Sequence, residues 1–124
     1  MKELILGGAR SGKSRLAEER AGRTGAEVVY VATATAGDAE MAARIDRHRA
    51  DRPAHWNLVE EPVALARVLR EEAVAGRCLL VDCLTLWLSN LLGAGEEVLA
   101  NQRADFLAAL AEVPGEVVLV SNEA

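Results

Sequence analysis

Gly7-Gly8-Ala9-Arg10-Ser11-Gly12-Lys13-Ser14 has the spacing G-x-x-x-x-G-K-[ST], which is suited to holding a phosphate chain. Glycines let the backbone curl so that successive N–H groups face one anion, and the helix that follows adds the positive end of its dipole. Lys13 then reaches the β- and γ-phosphates as the catalytic cation, and the Ser14 hydroxyl becomes a Mg²⁺ ligand. Such a site needs an acidic residue at the end of a neighbouring strand. Asp82, directly after Leu79-Leu80-Val81, is the candidate. Its structural alternative is an N-cap for the helix opening near Leu84.

A second cluster lies further along. From Arg44 to Arg52 the chain places four arginines within nine residues, with His48 among them. On a helix, Arg44, His48 and Arg52 share one face, with Met41 and Ile45 beside it. Neighbouring guanidinium groups disfavour imidazolium, so His48 stays neutral near pH 7. A neutral imidazole next to groups that bind phosphate has the properties of a nucleophile toward phosphorus. On spacing alone, a solvated charged face carrying a bystander histidine accounts for the segment slightly better. His55 has no such surroundings, and packing beside Trp56 is its ordinary reading.

These groups need strand ends and helix starts to hold them. Leu4-Ile5-Leu6, Val28 to Ala32, Leu79-Leu80-Val81 and Val117 to Val120 read as buried strands. Between them, helical patterns run over Ser14–Gly22, Asp38–Asp51, Pro62–Ala75, Leu84–Leu92 and Glu97–Glu112, with Gly93-Ala94-Gly95 as a loop. The last helix carries Val98, Gln102, Phe106, Ala109 and Val113 as its stripe. Continuous apolar strands alternating with helices predict an α/β fold: a mostly parallel sheet with helices on both faces, of the P-loop NTPase type. Ligands of such sheets sit at the carboxyl ends of the strands.

Composition narrows the remaining choices. The 124 residues make one domain, 1–124, and carry 14 Lys+Arg against 19 Asp+Glu, a net charge of −5 that argues against nucleic acid or an anionic membrane as partner. At 51% hydrophobic and 27% charged the chain suits a packed domain, and with only Tyr30, Trp56, Trp87 and Phe106 aromatic it has no platform for stacking bases. Cys78 and Cys83 read as reduced, buried thiols. The opening residues turn to glycine too early for a signal peptide, and no apolar run reaches the length of a membrane helix, so the expected location is cytoplasmic.

Taken together, the phosphate-loop octet, Tyr30-Val31-Ala32-Thr33-Ala34, Glu40 to Ile45, His48-Arg49 with Arg52-Pro53 and Trp56, Val81-Asp82-Cys83-Leu84-Thr85 with Asn90-Leu91-Leu92, and Val118 to Glu123 resemble, in register from Met1 to Glu123, the bifunctional adenosylcobinamide kinase / adenosylcobinamide-phosphate guanylyltransferases. The resemblance implies phosphorylation of adenosylcobinamide by ATP or GTP. Transfer of GMP from GTP to the new phosphate, through a guanylylated histidine, then gives adenosylcobinamide-GDP in cobalamin assembly. His48 matches that histidine, and Gly7 to Ser14 match the phosphate loop. Ala32, Thr33, Ala34, Arg49, Ala50, Asp51 and Arg52 match nucleotide-contacting stretches, and Glu60 and Asp82 match further positions at the nucleotide. Mg²⁺ shared by Ser14 and Asp82, and a homotrimer, belong to the same implication. Family members continue past the Val-Ser-Asn-Glu stretch, so the resemblance implies that the C-terminal part of the family domain is absent. Two other readings fit the phosphate loop: a kinase of another small molecule without a covalent nucleotide, and a nucleotide-dependent switch or ATPase subunit. Against the switch, the sequence has no N-K-x-D-type motif for reading guanine.

Overall fold

The computed structural model describes residues 2–7, 13–33 and 56–122, with the backbone alone described at 7, 13–15 and 122. Among the described residues, strands β1 (Lys2–Gly7), β2 (Glu27–Ala32), β3 (Asn57–Glu60), β4 (Arg77–Asp82) and β5 (Glu116–Asn122) and helices α1 (Lys13–Arg23), α2 (Leu65–Glu72), α3 (Leu84–Ala94) and α4 (Glu96–Glu112) follow in the order β1-α1-β2-β3-α2-β4-α3-α4-β5. The strands form one sheet in the order β1-β5-β4-β2-β3, and every pairing is parallel.

That order explains where the helices lie. The step from β1 to β2 moves across the sheet in one direction, whereas β3 to β4 and β4 to β5 move in the other. Right-handed crossovers taken in opposite directions must use opposite faces. Accordingly, Ala17 and Ala21 of α1 pack on Ile5, Val28, Tyr30, Ala32, Cys78, Leu80, Val118 and Val120. The opposite face, formed by Val29, Val31, Leu79, Val81, Val117 and Leu119, is covered by Leu65, Val68 and Leu69 of α2, Trp87 and Leu91 of α3, and Phe106 and Ala109 of α4. The small alanines of α1 let that helix approach the sheet closely. The larger side chains of α2, α3 and α4 fill a thicker layer, in which the Trp87 and Phe106 rings meet with centroids 4.8 Å apart. On β1, Leu4 and Leu6 face away from α1 and are exposed among the described residues.

Several local expectations are corrected. The sequence pattern predicts no strand where β3 lies, because Leu58 and Val59 are its only apolar residues and both its ends are exposed. The helix expected from Pro62 starts at Leu65 instead, after a turn in which Glu61 Oε2 accepts the N–H groups of Val63 and Ala64 at 3.1 and 3.0 Å. The Gly93-Ala94-Gly95 loop shrinks to Gly95, whose φ of 116° breaks the chain between α3 and α4. Cys78 is buried as expected, and burial, with the charge of Glu116 second, pushes its thiol up to about 11. Cys83 is only half-buried. The helix expected over Asp38–Asp51 lies outside the described residues.

The turn into β5 tests the backbone account. Gly115 has φ 81°, and a Cβ built there would stand 2.5 Å from the Val74 carbonyl oxygen and 2.8 Å from that of Arg77. Gly25 also has positive φ, 70°, but nothing lies within 4 Å of its Cβ position. Gly25→Ala should therefore cost about 1 kcal/mol from conformation alone. Gly115→Ala should cost about 2–4 kcal/mol, because two carbonyls must also move. Urea midpoints for the two variants measure the difference; equal losses would contradict the packing at Gly115.

Candidate nucleotide site at the carboxyl ends of the strands

The phosphate-loop motif occupies the strand–helix position its chemistry requires. β1 ends at Gly7, paired with Asn122 of β5, and α1 opens at Lys13 and Ser14. Gly8, Ala9, Arg10, Ser11 and Gly12 lie outside the described residues, as do the Lys13 and Ser14 side chains. Ala34, His48, Arg49, Ala50, Asp51 and Arg52 also lie outside them, so the basic cluster has no described geometry.

The other candidates are brought together by strand register. Ala32 is in register with Glu60 on one side and with Asp82 on the other. Asp82 pairs in turn with Val120, and Val120 with Ile5. Side chains alternate along a strand, so Asp82 shares the face of Cys78 and Leu80, and Glu60 that of Leu58. These neighbours belong to the cluster under α1. Glu60 and Asp82 therefore stand in one row, two strands apart, at the carboxyl end of the face on which α1 begins. With strands about 4.8 Å apart, their backbones are separated by roughly 10 Å.

Asp82 is held from several directions. The Tyr30 hydroxyl donates to Asp82 Oδ2 at 2.5 Å. The Thr33 N–H donates to the Asp82 carbonyl at 3.1 Å. The Thr33 hydroxyl donates to the Cys83 carbonyl at 2.8 Å and accepts the Cys83 N–H at 3.0 Å. Thr33 is fully buried, so the role of its side chain among the described residues is to lock the ends of β2 and β4 together. Asn90 Nδ2 donates to the Thr33 carbonyl at 3.1 Å and to that of Pro62 at 3.0 Å, drawing the start of α2 to the same point. The N-cap of α3 is Cys83, whose Sγ accepts the Leu86 N–H at 3.4 Å. Asp82 is thus not the cap, and its carboxylate pairs with no lysine or arginine among the described residues.

The sequence alone does not mark Tyr30 or Asn90 as site residues. Tyr30 is the only tyrosine in the chain and alternates with Ala32 on β2, a pattern that sequence alone assigns to packing. Asn90 is an amide within a Leu-rich helix, and its position was the available signal. Glu61, one residue past Glu60, accepts an ion pair from Arg67 as well as the two amides.

A parallel sheet with helices on both faces, the phosphate-loop motif between β1 and α1, and a carboxylate at the end of β4 define a P-loop NTPase-like α/β protein. The profile of the family described as cobinamide kinase / cobinamide phosphate guanyltransferase matches residues 3–124, and the chain belongs to that family of enzymes. It is 62% identical over 124 residues to the bifunctional adenosylcobalamin biosynthesis protein CobP of Pseudomonas aeruginosa, covering 99% of this chain and 72% of that one. It is 37% identical over 137 residues to the bifunctional adenosylcobalamin biosynthesis protein CobU of Escherichia coli, covering 99% of this chain and 75% of the relative. The corresponding protein of Salmonella typhimurium is 36% identical, with the same coverage of 99% and 75%. Among the described residues, no helix is long and apolar enough to cross a membrane.

The turn beside Glu60 has a pH signature. Burial alone raises the Glu61 pKa, but the amides of Ala64 and Val63 and the Arg67 guanidinium outweigh it and hold the carboxyl below its ordinary value of 4.5. The folded chain therefore binds this proton less readily than the unfolded one. Its stabilisation is complete above about pH 4.5 and is lost as pH falls through the lower folded value. Glu61→Gln should lower stability at neutral pH and flatten the decline on acidification, read from urea midpoints between about pH 7 and pH 3. An unchanged acid slope would contradict the assignment.

Proposed function

We propose that this chain phosphorylates adenosylcobinamide, then transfers GMP from GTP to adenosylcobinamide phosphate, giving adenosylcobinamide-GDP in adenosylcobalamin biosynthesis. The observation that carries this reading is the family match over residues 3–124, which spans both the phosphate-loop motif and His48. In the kinase step, a hydroxyl of the corrinoid side chain attacks the γ-phosphorus of ATP or GTP, and the bond to the β-phosphate oxygen breaks. In the transferase step, a His48 ring nitrogen attacks the α-phosphorus of GTP and pyrophosphate leaves. The phosphate of adenosylcobinamide phosphate then attacks the resulting phosphoramidate, and the histidine is released. Both parts are in-line displacements, so they depend on alignment and on charge balance. Gly7 to Ser14 supply the phosphate-binding backbone, Lys13 the cation at the β- and γ-phosphates, and Arg49 and Arg52 charge at the phosphoryl group in transfer.

The donor set fits Mg²⁺. Asp82 presents a hard oxygen ligand, uncompensated by any described cation, on the sheet face where α1 begins, and Ser14 lies in the first turn of that helix. When bound, Mg²⁺ would neutralise charge on the triphosphate. Ala32, Ala34, Ala50, Asp51 and Glu60 complete the nucleotide-contacting set in this reading, with the buried Thr33 supporting them from behind rather than touching the nucleotide, and the active assembly is a homotrimer working in the cytoplasm.

Incubation with Mg²⁺ and GTP labelled at the α-phosphate, without corrinoid, should leave label on the denatured protein, stable to base and lost in acid. His48→Asn should abolish that label while GTP binding stays within about two-fold, since the phosphate loop is a separate element. Lys13→Ala should weaken triphosphate binding and depress both activities together, by about ten-fold or more. Retained label in His48→Asn would overturn the nucleophile assignment. Loss of only one activity in Lys13→Ala would overturn shared use of the loop.

A further inference from the structure

We propose that Tyr30 is a positioning residue for the metal–triphosphate complex, holding the Asp82 carboxylate in its working orientation before any ligand arrives. The inference rests on the reading of Asp82 as a Mg²⁺ ligand. Tyr30 is 4% exposed, with its ring packed in the cluster under α1. It sits opposite Leu80 in the strand register, one side-chain row below the row that contains Ala32 and Asp82. From there its hydroxyl reaches diagonally across to Asp82 Oδ2 at 2.5 Å. An O–H donor to a carboxylate makes a short, charge-assisted hydrogen bond, and a phenol on a buried ring has little freedom to follow a moving partner.

The main chain under Asp82 is fixed independently. Thr33 holds the Asp82 carbonyl through its N–H and the Cys83 peptide through its hydroxyl. With the backbone fixed by Thr33, the side-chain torsions of Asp82 are the freedom left to control, and Tyr30 restrains them. Accepting the phenol's hydrogen bond at Oδ2 sets the plane of the carboxylate and leaves Oδ1 as the oxygen with full capacity for a cation. Groups that orient a ligand in this way affect metal affinity about as strongly as weak ligands do.

The test reads binding rather than turnover. Tyr30→Phe keeps the ring and removes the donor. The Mg²⁺ concentration giving half-maximal tightening of GTP binding should rise about ten-fold, while GTP affinity in EDTA stays within about two-fold of wild type. An unchanged Mg²⁺ midpoint, or an equal loss in EDTA, would overturn the proposal, because a purely structural tyrosine would weaken both conditions alike or neither. Asp82→Asn run in parallel separates the two levels. If it raises the midpoint and Tyr30→Phe does not, Tyr30 alone fails; if neither raises it, the Asp82 reading fails and the proposal with it. A second measurement needs no variant. Tyr30 is the chain's one tyrosine, so 3-fluorotyrosine labelling gives a single ¹⁹F resonance. Adding Mg²⁺ to the GTP-bound protein should shift it beyond its position with GTP and EDTA, and no shift would overturn the proposal even if Tyr30→Phe proved unstable.

Discussion

Strand register is the constraint on which the rest of the site depends. In a parallel sheet, all carboxyl ends lie on one side, and a side chain's face is fixed by its parity along the strand. Here parity puts Glu60, Ala32, Asp82, Val120 and Ile5 in one row across all five strands. A slip of one residue in β4 would send Asp82 to the face of α2, α3 and α4 and bring Cys83 toward α1. The register is protected by the apolar runs themselves. Cys78 and Leu80 fit beneath Ala17 and Ala21, while Leu79 and Val81 fit against α2 and α3. The packing that stabilises the sheet therefore also aims the carboxylate.

Packing alone would not finish the strand ends. Beyond Ala32 and Asp82 the chains leave the ladder, and their peptide groups lose regular partners. Thr33 and Asn90 take over, bonding β2 to β4 and drawing in the start of α2. Each such bond contributes about 1 kcal/mol net, but leaving a buried partner unmatched costs about 1–3 kcal/mol. These bonds therefore specify geometry more than they add bulk stability, which comes from the two apolar layers. Asn90 donates with both amide hydrogens to carbonyls of different elements, a fork that a hydroxyl or an apolar side chain of similar size could not supply.

How much was legible beforehand follows from the same physics. β1, β2, β4 and β5 announced themselves because each carries a run of branched apolar residues, and the phosphate-loop motif fixed where α1 had to start. β3 was silent because an edge strand with exposed ends needs only two inward apolar residues. Asp82 was legible as an acidic residue after a strand, and the structure removes its alternative reading as a helix cap, because Cys83 holds the cap. Glu60 was reached through the resemblance, and its face became visible only through the pairing of β2 with β3. Tyr30 escaped notice because a hydroxyl that acts across strands leaves no periodic trace. His48 and its arginines rest on sequence and family, since they fall outside the described residues.

In the proposed reactions the phosphate loop does different work in the two steps from one location. When a corrinoid hydroxyl attacks the γ-phosphorus, the groups held by the loop and Lys13 are the transferring phosphoryl and its leaving oxygen. When His48 attacks the α-phosphorus, the same β- and γ-phosphates depart together as pyrophosphate. Donors aimed at those phosphates therefore stabilise the group in transfer in one step and the leaving group in the other. In the proposed reading the Asp82 carboxylate suits both uses, because the negative charge to be balanced stays on the same phosphates. What must differ is the nucleophile and its approach, and those fall to the segment that carries His48 and to the corrinoid. In that reading, one phosphate loop between β1 and α1 serves both reactions, because the phosphates it holds are the same in each.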